Sequence, residues 1–157
     1  MSQKERNEND TTGRELGITR LLNAPRDLVW EVWTKPEHIK HWWGPAGFTN
    51  SISKMEVKPG GEWEFIMHGP DGTDYKNKHI YVEIEKPSKI VMSHVTAPRF
   101  QLTVTFEEQG NKTLMKWHSI FESAEQLEQV IKVFKADVGM KQNVERMENY
   151  LNLIQNQ

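Results

Sequence analysis

No cysteine occurs among the 157 residues. That absence removes disulfide scaffolds, thiolate zinc sites, iron–sulfur clusters and cysteine nucleophiles together, and it fits a reducing compartment. An excess of positive charge is missing as well: 20 Lys and Arg stand against 22 Asp and Glu, a formal charge of -2. No whole-molecule positive field exists to gather phosphates, which argues against nucleic acid as a partner. No run approaches the ~20 apolar residues of a membrane span. The segment from Met1 to Gly13 is polar, with charges of both signs and no apolar h-region. These features lead us to expect a cytoplasmic protein without membrane insertion, with a disordered leader over 1–13 and a single domain over 14–157.

What the chain does hold is tryptophan. Six occur in a sequence whose mean hydropathy is only -0.72. Each buries on the order of 200 Å² and must find a wall to pack on. A chain of this length hides roughly two thirds of its unfolded surface in one core, so one domain suffices for them.

Leu16 and Ile18 alternate as a first strand, which Ala24-Pro25 stops. Pro25 suits the first turn of a helix, with Asn23 as a cap, and Leu28, Val29, Val32 and Trp33 follow at helical spacing. Pro36 ends that helix and opens a shorter one through Ile39, Trp42 and Trp43, broken by Gly44-Pro45. From Phe48 to Phe121 turn signals recur, at Pro59-Gly60-Gly61, Gly69 to Gly72, Lys86 to Ser88, Ala97-Pro98 and Gln109 to Asn111. Between them the apolar period is two: Trp63, Phe65 and Met67; Ile80, Val82 and Ile84; Leu102, Val104 and Phe106; Met115, Trp117 and Phe121. Roughly six strands follow one another with no crossover helix. Ser123 with Gln126 is a capping-box pattern that starts a last helical region. Its apolar stripe runs from Leu127 to Ile154 with a kink or break between Ala136 and Gly139. This order specifies an α+β domain with helices on one face of an antiparallel sheet.

Laid out this way, the chain resembles the family of homologues of the activator of heat shock protein 90 ATPase, a branch of the START-like (SRPBCC) superfamily. The resemblance is carried by Ala24-Pro25-Arg26 with Val29-Trp30, by Trp33-Thr34 with Pro36-Glu37, and by Trp42-Trp43-Gly44-Pro45 with Gly47-Phe48. It continues through Pro59-Gly60-Gly61, His68 to Gly72, Tyr75 with Asn77, Glu83-Ile84 with Pro87, and Phe121-Glu122-Ser123, to Gly139 and Gln142. Where many relatives place a Trp after the late Gly, this chain has Met140. The resemblance implies a helix-grip fold, in which a curved antiparallel sheet wraps around a long C-terminal helix, with two short helices after the first strand. It also implies a cavity between helix and sheet. It implies no particular reaction, because the superfamily spans lipid carriers, cyclases and interaction domains.

With a helix over the concave face, Trp63, Phe65, Met67, Met92 and Trp117 are candidates for the sheet side of a pocket. Phe134, Met140, Val144 and Met147 are candidates for the helix side. Met supplies walls that adapt. The same stripes also describe a plain core, and only the resemblance favours a cavity. The polar candidates are His79, Tyr81 and Glu83, on one face of a strand, and His94 on another. A His beside a Glu in an apolar cavity exchanges protons, which would serve a cofactor-independent lyase or cyclase; on a wet face the same residues are merely solvated. His38 and His41 are spaced to share a metal, but no third ligand stands near, so no metal and no cofactor are expected. The leading expectation is a binding protein for a small hydrophobic molecule. The alternative is a chaperone-associated interaction domain, which needs an exposed apolar patch near Trp42, Trp43 and Phe48.

Overall fold

The first alternating stretch becomes strand β1 (Glu15–Leu22) in a computed structural model of the chain, which describes residues 12–157. Residues 1–11 of the expected leader lie outside the described residues. Helix α1 (Arg26–Thr34) starts with Pro25 as its N-cap and no side-chain cap, so Asn23 does not play the expected part. Helix α2 (Pro36–Ile39) stops before the Trp42-Trp43 pair, which sits in the following turn.

Six strands then succeed one another: β2 (Thr49–Met55), β3 (Glu62–His68), β4 (Asp74–Glu85), β5 (Lys89–His94), β6 (Phe100–Gln109) and β7 (Lys112–Phe121). They form one seven-stranded antiparallel sheet with β1, in the order β1-β7-β6-β5-β4-β3-β2. The meander pairs each strand with the next, and β1 closes onto β7 with Ile18 opposite Trp117. The sheet is curved, and with the terminal helix it makes the helix-grip fold.

One local departure from period two matters for the site. The β4–β5 register shifts between Tyr81 and Glu83, so Val82 is an extra residue on β4. Before the bulge His79 and Tyr81 point inward and are buried; after it Ile84 joins the core. A slip of one residue exchanges the two faces of a strand. Glu83 therefore does not share the face of His79 and Tyr81 as expected, and it lies instead beside Lys89, 3.4 Å away.

The Ser123 hydroxyl accepts a 3.0 Å hydrogen bond from the Gln126 amide and starts helix α3 (Ala124–Phe134). Lys135, at φ 53° and ψ 50°, separates it from helix α4 (Ala136–Gln155). The break thus precedes the expected position, and Gly139 lies inside α4, where an added Cβ would meet the Pro45 ring at 3.4 Å. Among the described residues no helix is long and apolar enough to cross a membrane.

All six tryptophans are buried in one cluster that joins α1, the sheet and α4. Trp33 is its hub. Its ring centroid is 5.0 Å from those of Trp42 and Trp117 and 5.8 Å from that of Phe106. Its Nε1–H donates to Met147 Sδ at 3.2 Å, tying α1 to α4. A smaller cluster of Phe121, Leu127 and Val130 seats α3 on β7. The cavity lies between these two cores.

Candidate functional site

A cleft of about 1140 Å³ separates the sheet from α3 and α4. Its sheet wall includes Trp117, Phe100, His94 and His79, its helix wall Val130, Met140 and Asn143, and its end wall Trp43 and the loop after it. Mostly apolar walls with few polar groups suit a small-molecule site.

The end wall is held by one side chain of α4. Arg146 Nη1 donates to the carbonyls of Trp43, Gly44 and Pro45, each at 3.0 Å. Its Nη2 reaches the carbonyls of Phe48 at 2.9 Å and His41 at 3.2 Å. The Trp43 ring stacks on Trp117 at 5.4 Å and meets Trp63 at 5.0 Å. Trp42 is fully buried and donates its Nε1–H to the Val32 carbonyl at 3.0 Å. Neither ring offers the exposed patch required near this pair.

His79 lies against the faces of Trp63 and Phe65, at 4.9 and 5.7 Å between centroids. Burial, aided by the neighbouring His94, holds its pKa well below the usual 6.5, so the ring is neutral. His94 is also lowered by burial, although hydrogen bonds from its surroundings work the other way. Its Nδ1–H donates to the Pro98 carbonyl at 2.7 Å, while Nε2 lies 2.6 Å from the Asn77 amide group and 3.2 Å from the Thr96 hydroxyl. Tyr81 is kept protonated by burial, which raises its pKa.

Of the residues anticipated for the pocket, Met67, His79, His94, Trp117, Phe134 and Met140 lie on the wall. Trp63, Phe65, Tyr81, Met92, Val144 and Met147 are buried in the core and do not reach it. Glu83 is on the other face, so no His79–Glu83 proton pair forms. His38 and His41 both engage Tyr150: the first by a 2.6 Å contact to its hydroxyl, the second by stacking.

Phe100, Phe121 and Asn143 are wall residues that the sequence reading missed. Phe100 and Phe121 follow the inward alternation of Leu102 and Ser119 and were legible on that ground. Asn143 carried a subtler signal, a polar residue beside Met140 and Val144 in the apolar stripe of α4.

The profile of the Activator of Hsp90 ATPase homolog 1-like protein family matches residues 23–152. A search of curated proteins finds no match. Among solved structures, a protein from Arthrobacter aurescens superposes with a TM-score of 0.85 at 26% identity, over 92% of this chain and 90% of that one. A protein from Nitrosomonas europaea gives 0.82 at 19% identity, over 93% of this chain and 99% of its own. One from Mycobacterium smegmatis gives 0.76 at 23%, over 92% of each chain.

Proposed function

We propose that this chain, which belongs to the Activator of Hsp90 ATPase homolog 1-like family, binds a small, largely apolar molecule between its sheet and its α3–α4 pair. The observation that carries the reading is the cleft of about 1140 Å³, bounded by the Trp43–Trp117 stack. A drug-sized ligand needs roughly 300 Å³ or more. The mouth supports it too, because Phe134 and Val138, which line the cleft at the α3–α4 junction, are exposed, with Val133 exposed beside them on α3. Exposed apolar side chains at an opening assist the entry of an apolar ligand.

The cysteine-free composition fits a cytoplasmic location. A protein-interaction role, the second reading, draws on that same exposed trio rather than on Trp42 and Trp43. The deciding experiment is native mass spectrometry of the protein purified from its own host. A co-purifying small molecule supports the cleft reading. A bare protein that also fails to bind apolar probes in titration refutes it, and leaves the interaction role ahead.

A further inference from the structure

Three polar side chains on the cavity wall are almost fully enclosed yet keep hydrogen-bonding atoms without a partner among the described residues. His79 is 1% exposed, and both Nδ1 and Nε2 are unpartnered. Trp117 is 4% exposed with Nε1 unpartnered, and Asn143 is 7% exposed with Oδ1 unpartnered. They come from β4, β7 and α4, so they border one space from its two long sides. The rings of Trp117 and His79 both meet Trp43, at 5.4 and 6.1 Å, which sets these two side chains at the same end of the cleft, while Asn143 faces the cleft from α4. Trp63 Nε1 is also unpartnered, but Trp63 does not line the cleft and is out of reach of a molecule held there.

An enclosed polar group without a partner forfeits its hydration and receives nothing in return, so native proteins seldom keep several together. A ligand that pairs with them recovers that loss on binding. Its chemistry is the complement of theirs. A neutral imidazole presents one donor and one acceptor, an indole N–H only donates, and an amide oxygen only accepts. The matching group is one that both donates and accepts. It is also uncharged, because the charged residues along the cleft, Glu122, Glu125 and Lys135, are all exposed, and no enclosed cation on its wall waits for an anion.

We infer that the enclosed end of the ligand is an uncharged hydroxyl on a flat apolar body, selected by His79, Trp117 and Asn143. This rests on the cleft being a ligand site, as proposed above. The flat body is dictated by the aromatic walls formed by Trp43, Trp117 and Phe100.

Three probes of one shape test it by equilibrium dialysis or calorimetry on the full chain at pH 7.5: biphenyl, 4-phenylphenol and biphenyl-4-carboxylate. The phenol, with a pKa near 10, is neutral there. A purely apolar cavity prefers biphenyl, since the hydroxyl must be stripped of water for nothing. Here 4-phenylphenol is expected to bind about tenfold more tightly than biphenyl, and at least about tenfold more tightly than the carboxylate, as satisfied buried groups give. His79→Leu and Asn143→Leu should each erase most of the preference for the phenol, and the second reads the result if the first fails to fold. Biphenyl equal to or tighter than the phenol overturns the inference and leaves the cleft reading standing. A carboxylate that matches the phenol, or a preference unchanged in folded variants, overturns it equally. If none of the three binds, the cleft reading falls and this inference with it.

Discussion

The guanidinium of Arg146 holds the carbonyl of Gly44 at 3.0 Å, and through it the loop that closes one end of the cleft. Gly44 itself adopts φ +99°, and a Cβ there would meet Met67 at 2.8 Å. The loop is thus shaped by a glycine and fastened by a charge on a helix about one hundred residues later in the chain. Charge-assisted hydrogen bonds to several carbonyls are the stronger kind.

Arg146→Met keeps the stem and removes the donors. It should lower unfolding free energy by about 2–3 kcal/mol, since five carbonyl contacts lose one shared charged partner. Urea denaturation measures the loss. A change of less than ~0.5 kcal/mol would mean that water replaces the guanidinium without cost.

Met140 and Met147 occupy the same helix but different surroundings. Met140 lines the cleft, whereas Met147 is fully buried under the Trp33 indole. Met140→Trp should weaken 4-phenylphenol binding by about tenfold or more while the melting temperature holds, because the larger ring enters open space. Met147→Trp should instead cost about 1–3 kcal/mol of stability by overpacking. A reversed pattern would place the cleft elsewhere.

Lys135 holds a left-handed conformation at φ 53°. For a residue with a Cβ this costs about 1–2 kcal/mol, and glycine escapes it at some expense in unfolded-state entropy. Lys135→Gly should therefore raise stability by about 0.5–1 kcal/mol, or roughly 1–4 °C in melting temperature. Lys135→Val should lower it. Equal melting temperatures for the two variants would show that the α3–α4 junction relaxes out of this conformation.

His79 is held neutral in the folded protein, with its pKa lowered by burial and then by His94. The unfolded chain takes up a proton below about 6.5 that the folded site refuses. Stability is therefore full above that pH and falls as the pH drops below it, by up to about 1.4 kcal/mol per pH unit for one such group. His94, lowered as well, adds in the same direction. Denaturation series between pH 7.5 and 5, above the carboxylate range, should show a shallower slope for His79→Leu than for the parent protein. Parallel slopes would mean that the imidazole is protonated in place.

Much of this molecule was written along the chain. The strand alternation at Trp63-Phe65-Met67 and Met115-Trp117, the turns that separate it, and the Ser123 cap are local stereochemistry, which a few neighbouring residues settle. Even the burial of six tryptophans follows from their size in a hydrophilic chain. The wall of the cleft was not legible in the same way. Val82 gives no residue-level sign of a bulge, because a bulge arises from how β4 pairs with β5, and that pairing alone turned Glu83 away from His79. Met140 and Met147 look alike on a helical wheel. Only the seating of α4 on Trp33 consigns one to the core and leaves the other facing open space. Periodicity states which face of each element is apolar. Whether two such faces meet or stay apart depends on how distant segments are joined, and here Arg146 and its five carbonyls fasten α4 to the loop that closes one end of the cleft.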